Sequence, residues 1–258
     1  MPRAIWTGAI SFGLVHVPVR LVTAVQDNRV SFNMLQESTG QRIRYKKEND
    51  EGEEVASDEI VKGYELDTGE WLIVHDEELD DLEPERSETI EITEFVSIAD
   101  IDPIYWDKPY YITPDEGARK PYKLLMQAME EAGKVGIAKF VMHGREHLTA
   151  LRPLRGMLCL VLMRFAEEIR PTEDLAIGIE DVEVNKGELK VAVQLIDAMT
   201  QDFRAEDFQD EYQQRVRELL EAKAEGKEYI VPERKAEEVE TENLVDALKK
   251  SLEQMQKA

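Results

Sequence analysis

Ala4-Ile5-Trp6-Thr7-Gly8-Ala9-Ile10-Ser11-Phe12-Gly13-Leu14-Val15-His16-Val17-Pro18-Val19-Arg20-Leu21 carries two strand patterns in opposite phase. Ile10, Phe12 and Leu14 alternate with other residues; then Val15, Val17, Val19 and Leu21 alternate on the other phase. A period of two marks a half-buried strand. Gly13 stands at the phase change, where the pattern predicts a β-bulge. Residues 4–25 are therefore read as strands.

Working outward, Val30, Phe32, Met34 and Leu35 precede a Thr39-Gly40 turn, and then comes Arg42-Ile43-Arg44-Tyr45-Lys46-Lys47. On a strand, alternation sets Arg42, Arg44 and Lys46 on one face and Ile43 and Tyr45 on the other. Residues 48–59 read as an acidic turn region. Ile60, Val61 and Tyr64, the Thr68-Gly69 turn and Trp71-Leu72-Ile73-Val74 predict more extended chain, and Asp76 to Leu82 a short helix. Ile90, Ile92, Phe95, Val96 and Ile98 predict a strand. Tyr122, Leu125, Met126 and Met129 predict a helix over 117–133, with Gly133 at its end. Residues 135–142 and 157–165 read as buried strands. A largely β first 170 residues with one substantial helix fits an antiparallel barrel or a strongly curled sheet better than βαβ units.

The pattern becomes helical after Pro171. Asn185 and Glu188 predict a capped helix start, with Leu189, Val193, Ile196, Met199 and Phe203 on one face. Tyr212, Val216, Leu219 and Leu220 mark a second helix, stopped near Gly226. Residues 232–243 read as a charged linker. Leu244, Leu248, Leu252 and Met255 mark a last amphipathic helix. Stripes this narrow do not hold a helix alone and need an outside surface.

Composition sets limits. Of 258 residues, 42% are hydrophobic, enough for a real core, and 34% are charged. The single cysteine, Cys159, rules out an intrachain disulfide and, within Met157-Leu158-Cys159-Leu160-Val161-Leu162, reads as a small buried hydrophobe. No run approaches the roughly 18 apolar residues of a membrane span, and no signal peptide is expected. A cytoplasmic location is expected. Net charge is −23, which by itself opposes DNA binding. The charge is uneven, however. Residues 1–47 carry +5, residues 48–100 carry −19, residues 101–170 carry +2 and residues 171–258 carry −11. A basic surface can coexist with an acidic exterior that repels DNA from the wrong face.

No phosphate-binding glycine loop, dinucleotide fingerprint or nucleophile elbow occurs. His143-Gly144-Arg145-Glu146-His147 matches an inverted zinc-protease order. It follows a strand-like run and contains Gly144, so it reads as a polar turn offering Arg145 to a partner. A hydrolase using His143, Glu146 and His147, and an acidic protein-binding scaffold without DNA affinity, are the competing readings. No enzyme, catalytic residue, cofactor or metal is expected.

Residues 4–19, together with Gln41-Arg42-Ile43-Arg44-Tyr45-Lys46-Lys47, Ile60-Val61-Lys62-Gly63-Tyr64-Glu65, Ile101-Asp102-Pro103-Ile104-Tyr105-Trp106-Asp107-Lys108-Pro109-Tyr110-Tyr111, Lys139-Phe140-Val141 and Gly144–Pro153, resemble the prokaryotic Ku proteins, in family order across roughly residues 3–225. The resemblance implies a mixed β and α fold: an antiparallel β-barrel core over residues 1–180 with a DNA-encircling bridge at about 29–72, a helical dimer-embracing arm over 181–230, and an acidic linker with a short helix over 231–258. It implies a homodimeric ring on double-stranded DNA ends that recruits an ATP-dependent DNA ligase in non-homologous end joining, with no catalytic step of its own. Two extended runs of about 20 residues in 29–72, at about 3.3 Å each, reach roughly 60 Å and suffice to arch over a duplex. On this reading Arg3, Arg20, Arg29, Arg42, Arg44, Lys46, Lys47, Lys62, Arg145 and Arg152 contact DNA. Leu189, Val193, Ile196, Met199, Phe203, Tyr212, Val216 and Leu219 form the dimer contact. Two features depart from the family. Paired cysteines after the basic run are replaced by Glu48-Asn49-Asp50-Glu51-Gly52-Glu53-Glu54, and no lysine-rich tail is expected beyond Lys249, Lys250 and Lys257.

Overall fold

The computed structural model describes residues 3–80, 88–175, 178, 179, 182–229, 247, 248 and 251. The strands are β1 (Trp6–Phe12), β2 (Val15–Thr23), β3 (Lys62–Glu65), β4 (Trp71–Val74), β5 (Thr89–Val96), β6 (Trp106–Pro114), β7 (Val135–Met142), β8 (Arg145–Leu154) and β9 (Met157–Met163). The helices are α1 (Asp76–Asp80), α2 (Arg119–Ala132), α3 (Lys186–Met199) and α4 (Glu211–Ala224). Seven strands close a barrel in the order β1-β2-β6-β9-β8-β7-β5, antiparallel except for the β1–β5 seam, which is parallel. β3 and β4 form a separate hairpin.

The opening stretch folds as a hairpin, Phe12 opposite Val15, with Gly13 at φ 59 in its two-residue turn. The expected bulge is thus a turn, because left-handed φ at this position lets the strands reverse within two residues. Ile10, Val17, Val19 and Leu21 are fully buried, and with Ile90, Ile112, Leu151, Leu158 and Leu160 they fill the barrel. Pro109 sits within β6, at a register shift between Trp106 and Pro109 where a missing N–H is tolerated. A second register shift, between Ile92 and Glu94, accounts for the phase change along β5.

Helix α2 plugs one end of the barrel with Tyr122, Leu125, Met126 and Met129. Burial of four such side chains stabilises by roughly 2 kcal/mol each. Gly133 ends the helix at φ 62, the left-handed C′ position. The Tyr122 hydroxyl donates to Ile112 O (2.7 Å) and accepts from Leu158 N–H (2.7 Å), bridging the ends of β6 and β9. Removing it in Tyr122→Phe leaves a buried donor and a buried acceptor unpaired. We expect a loss on the order of 2–3 kcal/mol, read as a lower urea midpoint at unchanged m-value.

At the other end, Trp6 donates from Nε1 to Val141 O (3.1 Å) and sets its ring edge on Phe140, centroids 5.5 Å apart at 86°. It closes the gap between β1 and β7, since the β1–β5 pairing begins only at Ala9 and Thr89. Gly8 makes room for this: a Cβ there would overlap the Trp6 ring and the Glu88 carbonyl oxygen.

Residues up to Asp27 with Asn33–Thr172 form one compact unit; Asn28–Phe32 and the described residues from Glu173 onward form the other. In the helical unit, Asn185 caps α3 by accepting from Gly187 N–H (2.7 Å), and Asp210 caps α4 by accepting from Gln213 N–H (3.0 Å). Helix α3 stops at Met199, so Phe203 lies beyond it, stacked on Phe208 at 5.6 Å, and is not on the helical face expected for it. Gln213 Oε1 accepts from Val30 N–H and Arg217 donates to Asn28 O, which ties Asn28–Phe32 to α4. The expected linker over 232–243 and most of the last helix lie outside the described residues; Ala247, Leu248 and Ser251 are helical. Among the described residues, no helix is long and apolar enough to cross a membrane.

Candidate nucleic-acid interface

Residues 24–88 lie between β2 and β5, an excursion from the barrel. Among its described residues the excursion holds no 20-residue extended run. It is built from short reversals. Gln36 and Gln41 close a narrow turn around the Leu35–Arg42 bridge, with Ile43 N–H donating to Met34 O (3.0 Å). Asn49 Oδ1 accepts from Glu51 and Glu53 N–H, fixing a second turn inside the Glu48–Glu54 bridge. The β3–β4 hairpin follows, with Tyr64 opposite Leu72. Turn-forming Asn and Gly residues thus outweigh the strand propensity of the segment.

Arg42, Arg44, Lys46 and Lys47 are all exposed on this excursion, interleaved with exposed Ile43 and Tyr45. Beyond Arg42 the run is in no strand, so strand alternation does not order these four charges. Lys46 pairs with Glu54 at 2.6 Å, while the side chains of Arg42, Arg44 and Lys47 make no ion pair among the described residues. Lys62 opens β3 and pairs with Asp76 at 2.9 Å. Arg20 sits on the outer side of β2, 2.8 Å from Asp115 Oδ1, a charge contact without hydrogen-bond alignment. Exposed pairs of this kind contribute about 0–1 kcal/mol, so they exchange readily for a phosphate. Arg3 is exposed ahead of β1, Arg29 is exposed in the helical unit, Arg145 opens β8, and Arg152 is half-buried opposite Cys159. Four of the ten basic residues therefore share one run and six are scattered over other elements.

His143 (φ 53) and Gly144 (φ 74) make the β7–β8 turn. His147 stands opposite Phe140, ring centroids 5.9 Å apart, while Glu146 pairs with Lys139 at 2.9 Å. The zinc-protease order is thereby split between a turn and a strand, and no cluster of three metal-ligating side chains forms among the described residues. No functional signal marks Lys108 or Arg164 in the sequence: prolines hide the strand pattern around Lys108, and Arg164 follows β9, whose partner β6 is distant along the chain. Arg164 donates to Ile104 O (3.0 Å) and Trp106 O (2.6 Å) and lies 3.6 Å from Asp107, fixing the exit of β9 against the entry of β6.

Of the residues expected at a dimer contact, Leu189, Val193, Ile196, Met199, Phe203 and Tyr212 are exposed. Leu219 is half-buried, and Val216, 9% exposed, belongs to the interior of its own unit. Cys159 is buried, and burial raises its thiol pKa against an opposing effect of Arg152. We expect it to react with a disulfide reagent at least about a hundredfold more slowly in the native protein than in urea.

Residues 11–191 match the model of the Ku70/Ku80 beta-barrel domain. A "Non-homologous end joining protein Ku" of Archaeoglobus fulgidus is 41% identical over 252 residues, covering 97% of this chain and 98% of that one. "Non-homologous end joining protein Ku 1" of Saccharopolyspora erythraea is 42% identical, covering 98% and 79%. "Non-homologous end joining protein Ku" of Coxiella burnetii is 36% identical, covering 99% and 96%. With the closed barrel and near-complete coverage on both sides, the chain belongs to the Ku family.

Proposed function

We propose that this chain binds double-stranded DNA ends, without sequence preference, as a homodimeric ring in non-homologous end joining, and recruits an ATP-dependent DNA ligase. In this reading the barrel is the core, the excursion between β2 and β5 is the bridge, and the helices after Glu173 embrace the partner copy. It works on DNA in the cytoplasm, at the nucleoid, and catalyses nothing itself.

The observation that carries the reading is the exposed run Arg42–Lys47, set on an excursion of a Ku barrel and holding three cations free of ion pairs among the described residues. Arg and Lys directed at phosphates give affinity without reading bases. The exposed α3 stripe supports the dimer, since helices with uncovered apolar faces need a surface.

A gel shift at fixed salt, comparing a linear duplex of a few tens of base pairs with a closed circle of the same sequence, tests it. Binding to the linear form that survives excess circle is expected. Equal binding to both would leave a generic DNA binder, and no binding at low salt would favour a protein-only scaffold.

A further inference from the structure

At the barrel end formed by the entry of β6, the β7–β8 turn and the exit of β9 lies a cavity of about 600 Å³, distinct from the excursion that carries the basic run. That volume suits a small ligand of nucleotide size. Tyr110, Met142 and Leu162 are buried and make an apolar floor. His147 stands on the wall against Phe140, and Lys108, His143 and Arg145 lie around the rim.

The three carboxylates that line this cavity are already engaged. Asp107 is 3.6 Å from Arg164, Glu146 pairs with Lys139 at 2.9 Å, and Glu168 accepts from Phe165 N–H at 2.6 Å. By contrast, the side chains of Lys108, His143, Arg145 and His147 make no hydrogen bond or ion pair among the described residues. In a chain of net charge −23, four unpaired donors around one apolar floor are an arrangement that folding does not require. Cationic and imidazole donors above an apolar and aromatic base match a compact anion attached to a flat, apolar body.

We infer that the barrel mouth binds a phosphomonoester of mononucleotide size, its phosphate held by Lys108, Arg145 and His143 and its body set on Tyr110, Met142 and Leu162. This goes beyond end binding and does not depend on it. Two sources carry that chemistry, a free nucleotide and the terminal 5′-phosphate of a DNA strand.

Titration calorimetry of the full chain with adenosine monophosphate and with adenosine tests the site. The wild type should bind the phosphorylated form at least about tenfold more tightly, a difference that one charge-assisted contact accounts for. Lys108→Met, a change at an exposed position, should abolish the preference without moving the melting temperature. A gel shift of duplexes ending in 5′-phosphate or 5′-hydroxyl assigns the source. A 5′-phosphate preference that Lys108→Met erases points to the DNA end; equal shifts with retained nucleotide binding point to a free nucleotide. The 5′-hydroxyl duplex reports end binding separately, so loss of that shift would count against the ring and not against the cavity. Equal binding of adenosine monophosphate and adenosine, or a preference that Lys108→Met leaves intact, would overturn the inference.

Discussion

Arg42→Gln, Arg44→Gln and Lys47→Gln, combined in one chain, should reduce the slope of log affinity for ends against log salt by about 5, which is six contacts per proposed dimer at about 0.9 each. Affinity at 50 mM salt should fall at least about a hundredfold, as expected when six phosphate contacts are lost together. The melting temperature should stay within a degree, because all three side chains are exposed and none holds an ion pair among the described residues. Lys46→Gln is the internal contrast. Its charge is offset by Glu54 at 2.6 Å, so its removal should flatten the slope by less than half of the roughly 0.9 per copy expected for an unpaired contact. Equal effects of Lys46→Gln and Arg44→Gln would mean that the ion pair does not persist in the complex. An unchanged slope in the triple variant would remove this run from the DNA contact altogether.

Val193→Asp combined with Ile196→Asp should turn the proposed dimer into a monomer at micromolar concentration and abolish retention on ends. Both positions face solvent in a single copy, at 46% and 64% exposure. An isolated chain therefore accommodates two carboxylates, whereas an apolar interface does not. A carboxylate desolvated without a partner costs several kcal/mol, and a two-fold interface meets the change twice. Sedimentation velocity reads the mass, and circular dichroism confirms that the helices persist. A variant that remains dimeric would place the dimer contact away from the α3 stripe. Tyr122→Phe separates stability from assembly, since it weakens the barrel and leaves that stripe untouched.

The barrel was legible where one face is buried and the other wet. Val17, Val19 and Leu21 alternate cleanly, and the Tyr122–Met129 spacing marks the plug helix almost to the residue. At Gly13 the sequence does not separate a bulge from a two-residue turn, because both shift the strand phase alike; only the pairing of Phe12 with Val15 distinguishes them. The excursion reads as two long runs in the sequence because exposed β-branched and aromatic residues mimic strands. Its turns are set instead by Asn49 and by the Gln36–Gln41 closure, which are local hydrogen bonds without a periodic signature. Phe203 falls in phase with the α3 stripe, yet the helix has already ended at Met199, and periodicity alone does not register such a stop.

The site was legible in part. The Arg42–Lys47 run stands out as a block of charge and is exposed as a block. Arg20 and Lys62 gave no hint of their acidic partners, Asp115 and Asp76, which lie 95 and 14 residues away along the chain. Lys108 and Arg164 come together at the barrel mouth through the pairing of β6 with β9, a long-range contact without a local trace.

The threaded ring is tested most directly by trapping. The protein is loaded onto a linear duplex long enough to be circularised, the ends are joined, and the complex is challenged with about 1 M salt, where phosphate contacts are largely screened. The proposed ring stays on the closed circle and leaves once a nuclease linearises it. Release from the circle at the same rate as from the linear duplex would contradict it.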